Sequence, residues 1–167
     1  VAEGNTPSAD LSVSSYAGTI TDAAGGAAAA ASGDLGSVTV DGDAPDLASV
    51  AAGDATYGIG DAVAITVTFD EAVIVSGSPT LTLSNSATAT YTSGSGSTAL
   101  VYTYTVSEGQ TDTGDLLISS NSGGTITDAA GGAAAAVSGD LGTVVIDGDT
   151  PDLSLIHISE PTRHASI

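Results

Sequence analysis

The chain has 167 residues and no cysteine, and its 20 Asp and Glu stand against a single Arg and no Lys, for a net charge of −19. A surface of that sign repels nucleic acid and anionic lipid, which both need a basic face. Without cysteine, neither disulfides nor thiolate metal sites hold the fold together, and no run of about 20 apolar residues is present to insert into a membrane as a helix.

One segment occurs twice: GTITDAAGGAAAAASGDLGSVTVDGDAPDL at residues 18–47 and GTITDAAGGAAAAVSGDLGTVVIDGDTPDL at residues 124–153, identical at 25 of 30 positions with a period of 106. The match continues upstream through one single-residue gap, aligning 1–15 with 106–120. A fixed period of this size is the signature of a domain copied head to tail. Residues 1–43 are therefore expected to be the C-terminal half of one unit and 44–153 a complete one, of ordinary size for a β-sandwich. Neighbouring repeats of the same chain are its first expected partners.

Taken in order, DLSVSS, GTIT and SVTV read as the closing strands of the first half-unit. In the complete unit, Val63, Ile65, Val67 and Phe69 alternate with Ala62, Ala64, Thr66 and Thr68, the period-two pattern of a half-buried strand. EAVIV (71–75), PTLTLS (79–84) and ATATYT (87–92) follow as separate short strands, and then Leu100, Tyr102, Tyr104 and Val106 alternate again. Gly and Ser punctuate the boundaries at 76–79, 93–97 and 108–114. The alanine runs at 27–31 and 133–136 are too short to repay helix nucleation and are expected to be extended. Seven to nine short strands with almost no helical pattern predict an all-β fold, an immunoglobulin-like β-sandwich in tandem repeats. Tyr57, Phe69, Tyr91, Tyr102 and Tyr104 are expected in the core and in strand pairs.

The densest acidic cluster is the joint between units, Asp41-Gly42-Asp43-Ala44-Pro45-Asp46, repeated as Asp147-Gly148-Asp149-Thr150-Pro151-Asp152. Three carboxylates in six residues repel one another unless a cation or solvent compensates them, and calcium takes six to eight oxygens of this kind. If successive strands alternate in direction, the ends of 62–69 and 124–127 return to the pole of the joint. That brings Asp70, Glu71 and Asp128 towards Asp41, Asp43 and Asp46, with Glu3 and Asp10 approaching from the preceding half-unit. The expected metal ligands are thus Asp41, Asp43, Asp46, Asp70, Glu71 and Asp128, with calcium as the ion. The alternative is a solvated acidic linker stiffened by Pro45. Asp34, Asp54, Asp61 and Asp140 read as turn formers.

LSLIHISEPTR at 153–163 resembles the translation of a transposase adapter used in shotgun library preparation, and residues 154–167 are read as an adapter-derived tail. It holds both histidines, His157 and His164, and the only arginine, Arg163. What remains has no imidazole, amine or thiol to serve as a base, and no isolated carboxylate pair, so no enzyme is expected.

TYGIGDAVAITVTFDEAVIVSGSPTLTLSNSATATYTSGSGSTALVYTYTVSEGQTD followed by GGTITDAAGG resembles the bacterial Ig-like repeats of large secreted and cell-surface proteins, including RTX-type adhesins. Where that family writes F-S-E-A-V, this chain has Phe69-Asp70-Glu71-Ala72-Val73; where it writes D-A-A-G-N, this chain has Asp128-Ala129-Ala130-Gly131-Gly132. The resemblance implies an extracellular spacer or adhesive module, in several branches rigidified by calcium at the joints. Direct binding of surface glycan, with Ser93–Ser97 as the candidate tip, and an acidic halophilic stalk without specific metal are the alternatives.

Overall fold

The computed structural model describes residues 5–8, 12–13, 21, 23–25, 27, 33–34 and 40–150. Residues 151–167, with Asp152 and the tail's histidines and arginine, lie outside them, as do Glu3, Asp10 and residues 28–31 of the first alanine run. The described residues are all-β, built from strands and connecting turns with no helix. Among the described residues no helix is long and apolar enough to cross a membrane.

In the first copy, β1 (Asn5–Ser8) pairs antiparallel with β4 (Val40–Gly42), Ser8 opposite Val40, and β2 (Ser12–Val13) pairs with β3 (Gly33–Asp34), Ser12 opposite Asp34. The second copy repeats these pairings at the aligned positions: Thr113 opposite Ile146, and Leu117 opposite Asp140. The bridge Thr21–Ala27 recurs as Thr127–Ala133. The repeated sequence thus recurs with matching registers at these positions.

The second copy belongs to a full set of strands: β5 (Leu47–Ala52), β6 (Ala55–Tyr57), β7 (Ala62–Leu83), β8 (Thr88–Ser93), β9 (Ser97–Thr105), β10 (Leu117–Thr127), β11 (Gly139–Asp140) and β12 (Val144–Ile146). The three separate strands expected over 62–84 are one, the 22-residue β7. Its first half lies between β5 and β9, its second half between β10 and β8, and β8 pairs with β9. The sheet therefore wraps around a single core and uses β7 twice. Pairing slips between Thr68 and Val73, and again where Gly77 meets Gly123 and Gly124. Gly77 and Gly123 both have φ near +82, and a Cβ on Gly77 would lie 3.3 Å from the Gly124 Cα. The Gly and Ser read as a chain break instead mark a bend, because glycine allows the close approach without ending the strand.

Val63, Ile65, Val67 and Phe69 of β7 are buried against Leu100, Tyr102 and Tyr104 of β9, and Leu81 and Leu83 extend the same core. Each such side chain contributes about 1.5–3 kcal/mol on leaving water. Tyr91 packs edge-on to Tyr102, with ring centroids 5.7 Å apart. Ala133–Ala136 is not helical: Ala133 bridges Thr127, Ala134 N–H donates to Ile126 O and Ala135 N–H to Pro45 O. Farther along, Ala52 N–H donates to Leu141 O, and β12 runs parallel to β6.

Residues 72–107 carry no charge, so the acids collect at the two ends. One end holds the 41–46 joint, Asp70–Glu71 and the turn after Asp128. The other holds the 58–61 turn, the 107–112 loop and 147–149, tied by Gly60 N–H to Val106 O, Asp147 N–H to Tyr57 O and Gly109 N–H to Gly148 O.

Candidate functional site

At the joint end, three chain segments meet. Asp41 lies in the middle of β4 and turns its carboxylate back on its own segment, Oδ1 accepting from Asp43 N–H at 3.3 Å. Asp70 and Glu71 come directly after the buried Phe69 on β7. Asp70 clasps the joint in both directions: its N–H donates to Asp46 O at 3.1 Å, and its Oδ1 accepts from Asp46 N–H at 2.9 Å. Asp128 opens the turn after β10. Its N–H donates to Gly132 O at 3.0 Å and its Oδ1 accepts from Gly132 N–H at 2.8 Å, which fixes the carboxylate.

One carboxylate oxygen each of Asp41, Glu71 and Asp128 lies within 4.8 Å of the others. Asp128 is only 3% exposed, and its Oδ2 is buried without a hydrogen-bond partner. A buried ionised oxygen with no donor is costly unless something positive compensates it. A pocket of about 350 Å³ opens beside it, lined by Asp41 to Ala44, Asp128 and Ala130 to Ala133. The Glu71 carboxyl is pushed above its ordinary pKa of 4.5 by partial burial first, and then by the like charges of Asp128, Asp41, Asp70 and Asp43. Both facts describe carboxylates held together with no basic side chain beside them among the described residues.

Of the six residues singled out in the sequence, Asp41, Glu71 and Asp128 form the cluster. Asp70 is engaged with the Asp46 main chain, and the side chains of Asp43 and Asp46 are exposed. Glu3 and Asp10 lie outside the described residues. The wall formed by residues 130–133 is not foreseen from the sequence; its only signal there is the five-residue turn from Asp128 to Gly132, whose Asp both donates and accepts.

Elsewhere acids serve turns. Asp61 Oδ2 accepts from Gly58 N–H and Asp140 Oδ1 from Gly142 N–H, both at 2.9 Å, while Asp54 Oδ1 reaches across the fold to Thr143 N–H. At the 93–97 tip, Ser95 Oγ accepts from Val75 N–H, and Ser97 Oγ lies 2.8 Å from Gly94 O. Those two hydroxyls hold the turn, and the nearby Tyr91 hydroxyl accepts from Ser95 N–H.

No protein-family model, curated protein or solved structure matches this chain.

Proposed function

We propose that this chain is a segment of a stalk: Ig-like sandwich units copied head to tail in an exported bacterial surface protein, acting as spacer or adhesion modules, with calcium stiffening each joint. The Ig-like reading is supported by the strand layout. β5 and β9 flank the first half of β7, while β10, with β11 on its outer side, and β8 flank the second half; β12 is bonded to the segment leading into β10, through Thr113 and Leu116. The opening strand switches partners, β6 leaving β5 to run parallel to β12. Repetition is supported by the two copies of 106-residue spacing and their matching registers.

The observation that carries the cation reading is the buried, unpartnered Oδ2 of Asp128, whose carboxylate is grouped with those of Asp41 and Glu71 in a site whose donors are all oxygen. Such a set suits a hard cation such as calcium and offers nothing to a soft one. Asp41 would hold the ion from the joint, Glu71 and Asp128 from the unit C-terminal to it; the bound ion supplies only positive charge and a cross-link. Small-angle scattering of the chain, with calcium and with chelator at constant ionic strength, tests this. The expected result is a longer and narrower distance distribution with calcium, and coincident curves would remove the stiffened joint from the account.

A further inference from the structure

Gly132 sits against the cluster in a way that only a bare Cα permits. A Cβ built there would lie 2.5 Å from Asp128 Oδ2 and 3.2 Å from the main-chain oxygen of Asp43. The two oxygens thus border the same space, one from the unit and one from the joint. Backbone conformation does not demand glycine at this position, because Gly132 lies outside the left-handed region that its neighbour Gly131 occupies at φ 95. The glycine is required by space alone.

We infer that Gly132 sets whether the joint can take a cation, and that the Asp43 carbonyl is a fourth oxygen of the site beside the carboxylates of Asp41, Glu71 and Asp128. This rests on the cation reading of the joint and deepens it: two ligands come from the joint and two from the unit, and one of the joint's is main chain. A cation bound in this way ties down backbone rather than a free-swinging side chain, which is what stiffening requires. It also separates Asp43's exposed carboxylate, which stands away from the cluster, from its carbonyl, which borders it. Four protein oxygens leave the remaining positions of a six- to eight-coordinate ion to water.

A methyl group at 132 must displace something. The Asp43 oxygen belongs to the backbone, and Gly132 N–H is held by Asp128 Oδ1. The movable atom is Asp128 Oδ2, so relief comes from swinging that carboxylate out of the cluster.

The test is calorimetric titration of the whole chain with calcium chloride at fixed ionic strength, comparing the unaltered chain with Gly132→Ala, Gly109→Ala and Asp128→Asn. Gly132→Ala is expected to bind at least tenfold more weakly. Gly109→Ala, at the opposite end of the unit, where φ is 76 and a Cβ meets nothing within 4 Å, is expected to melt lower through backbone strain yet bind within twofold. Affinity kept within twofold in Gly132→Ala but lost in Asp128→Asn overturns the inference and leaves the cation reading intact. Absence of binding by the unaltered chain overturns both. If Gly132→Ala does not fold, the pair Gly132→Ala with Asp128→Ala removes the crowding and is expected to fold; an unfolded pair overturns the inference.

Discussion

The two ends of the unit carry the same tripeptide and do different things with it. At both, the first Asp of Asp-Gly-Asp accepts from the N–H of the second at 3.3 Å, Asp41 from Asp43 and Asp147 from Asp149. At 147–149 the surroundings supply donors and acceptors in pairs. Gly148 is buried, its N–H donates to Asp112 Oδ1 at 2.7 Å, its carbonyl accepts from Gly109 N–H, and Thr150 Oγ1 reaches Glu108 Oε1. At 41–43, β1 pairs with β4, Asn5 opposite Gly42, and the unit adds two carboxylates, Glu71 and Asp128, beside Asp41. The residue aligned with Asp112 in the first copy is Pro7, so that support is absent from the sequence there. The tripeptide builds a turn at both ends; its surroundings decide whether the nearby carboxylates are spent on hydrogen bonds, as at Asp112, or gathered into a cluster, as at Asp41, Glu71 and Asp128.

Substitutions can break or sharpen that contrast, beginning with the largest effect. Phe69→Ala empties a core position just before Asp70 and Glu71, and is expected to cost about 3–5 kcal/mol in denaturant unfolding and to abolish any calcium response. A variant of normal stability would separate the joint end from the core. Asp128→Asn is expected to reverse sign with conditions. In chelator it melts no lower than the unaltered chain, because an uncompensated buried charge is gone. In calcium at about 100 times the dissociation constant it falls behind by up to ~2.7 kcal/mol, the stabilisation that binding supplies.

Asp112→Ala acts at the other end. It leaves the Gly148 N–H without its acceptor, at an expected ~1–3 kcal/mol, while calcium titration stays unchanged; a weakened titration would couple the two ends. Glu71 gives a pH effect of opposite sign in the two states. Its folded pKa is raised above 4.5, so without calcium its protonation favours the folded form, and stability rises as pH falls from neutral towards 4.5. With calcium, protons compete with the ion, and the calcium-dependent gain shrinks over the same range. Melting curves at several pH values, with chelator and with calcium, read both. Smallest of all, Asp43→Asn and Asp46→Ala change exposed side chains and are expected to stay within about 0.5 kcal/mol, with calcium affinity held, since Asp43 contributes its carbonyl and Asp46 its main chain.

Much of this was legible in the residues. Period-two alternation over 62–69 and 100–106 identified the buried faces, because side chains of a strand alternate however the strands are connected. Strand parity pointed Asp70, Glu71 and Asp128 to the joint end, since antiparallel neighbours return to where they began. Parity fixes an end of the molecule and not the direction of a carboxylate. Asp70 and Glu71 are adjacent, so one turns to the Asp46 main chain and the other to the cluster. The continuity of β7 was hidden for a related reason: Gly77 permits both a break and a bend, and only its contact with Gly124 selects the bend. Gly132 was invisible because its importance is an empty volume, which composition cannot express.

The proposed cation clamp between joint and unit stands on Asp41, Glu71 and Asp128. Thermal unfolding of the chain in about 10 mM calcium, above the ~10⁻⁴–10⁻³ M dissociation constants of extracellular modules, against sodium chloride of equal ionic strength tests it most directly. A midpoint several degrees higher in calcium, lost in Asp128→Asn, is the predicted result, and superimposable curves in the two salts would contradict it.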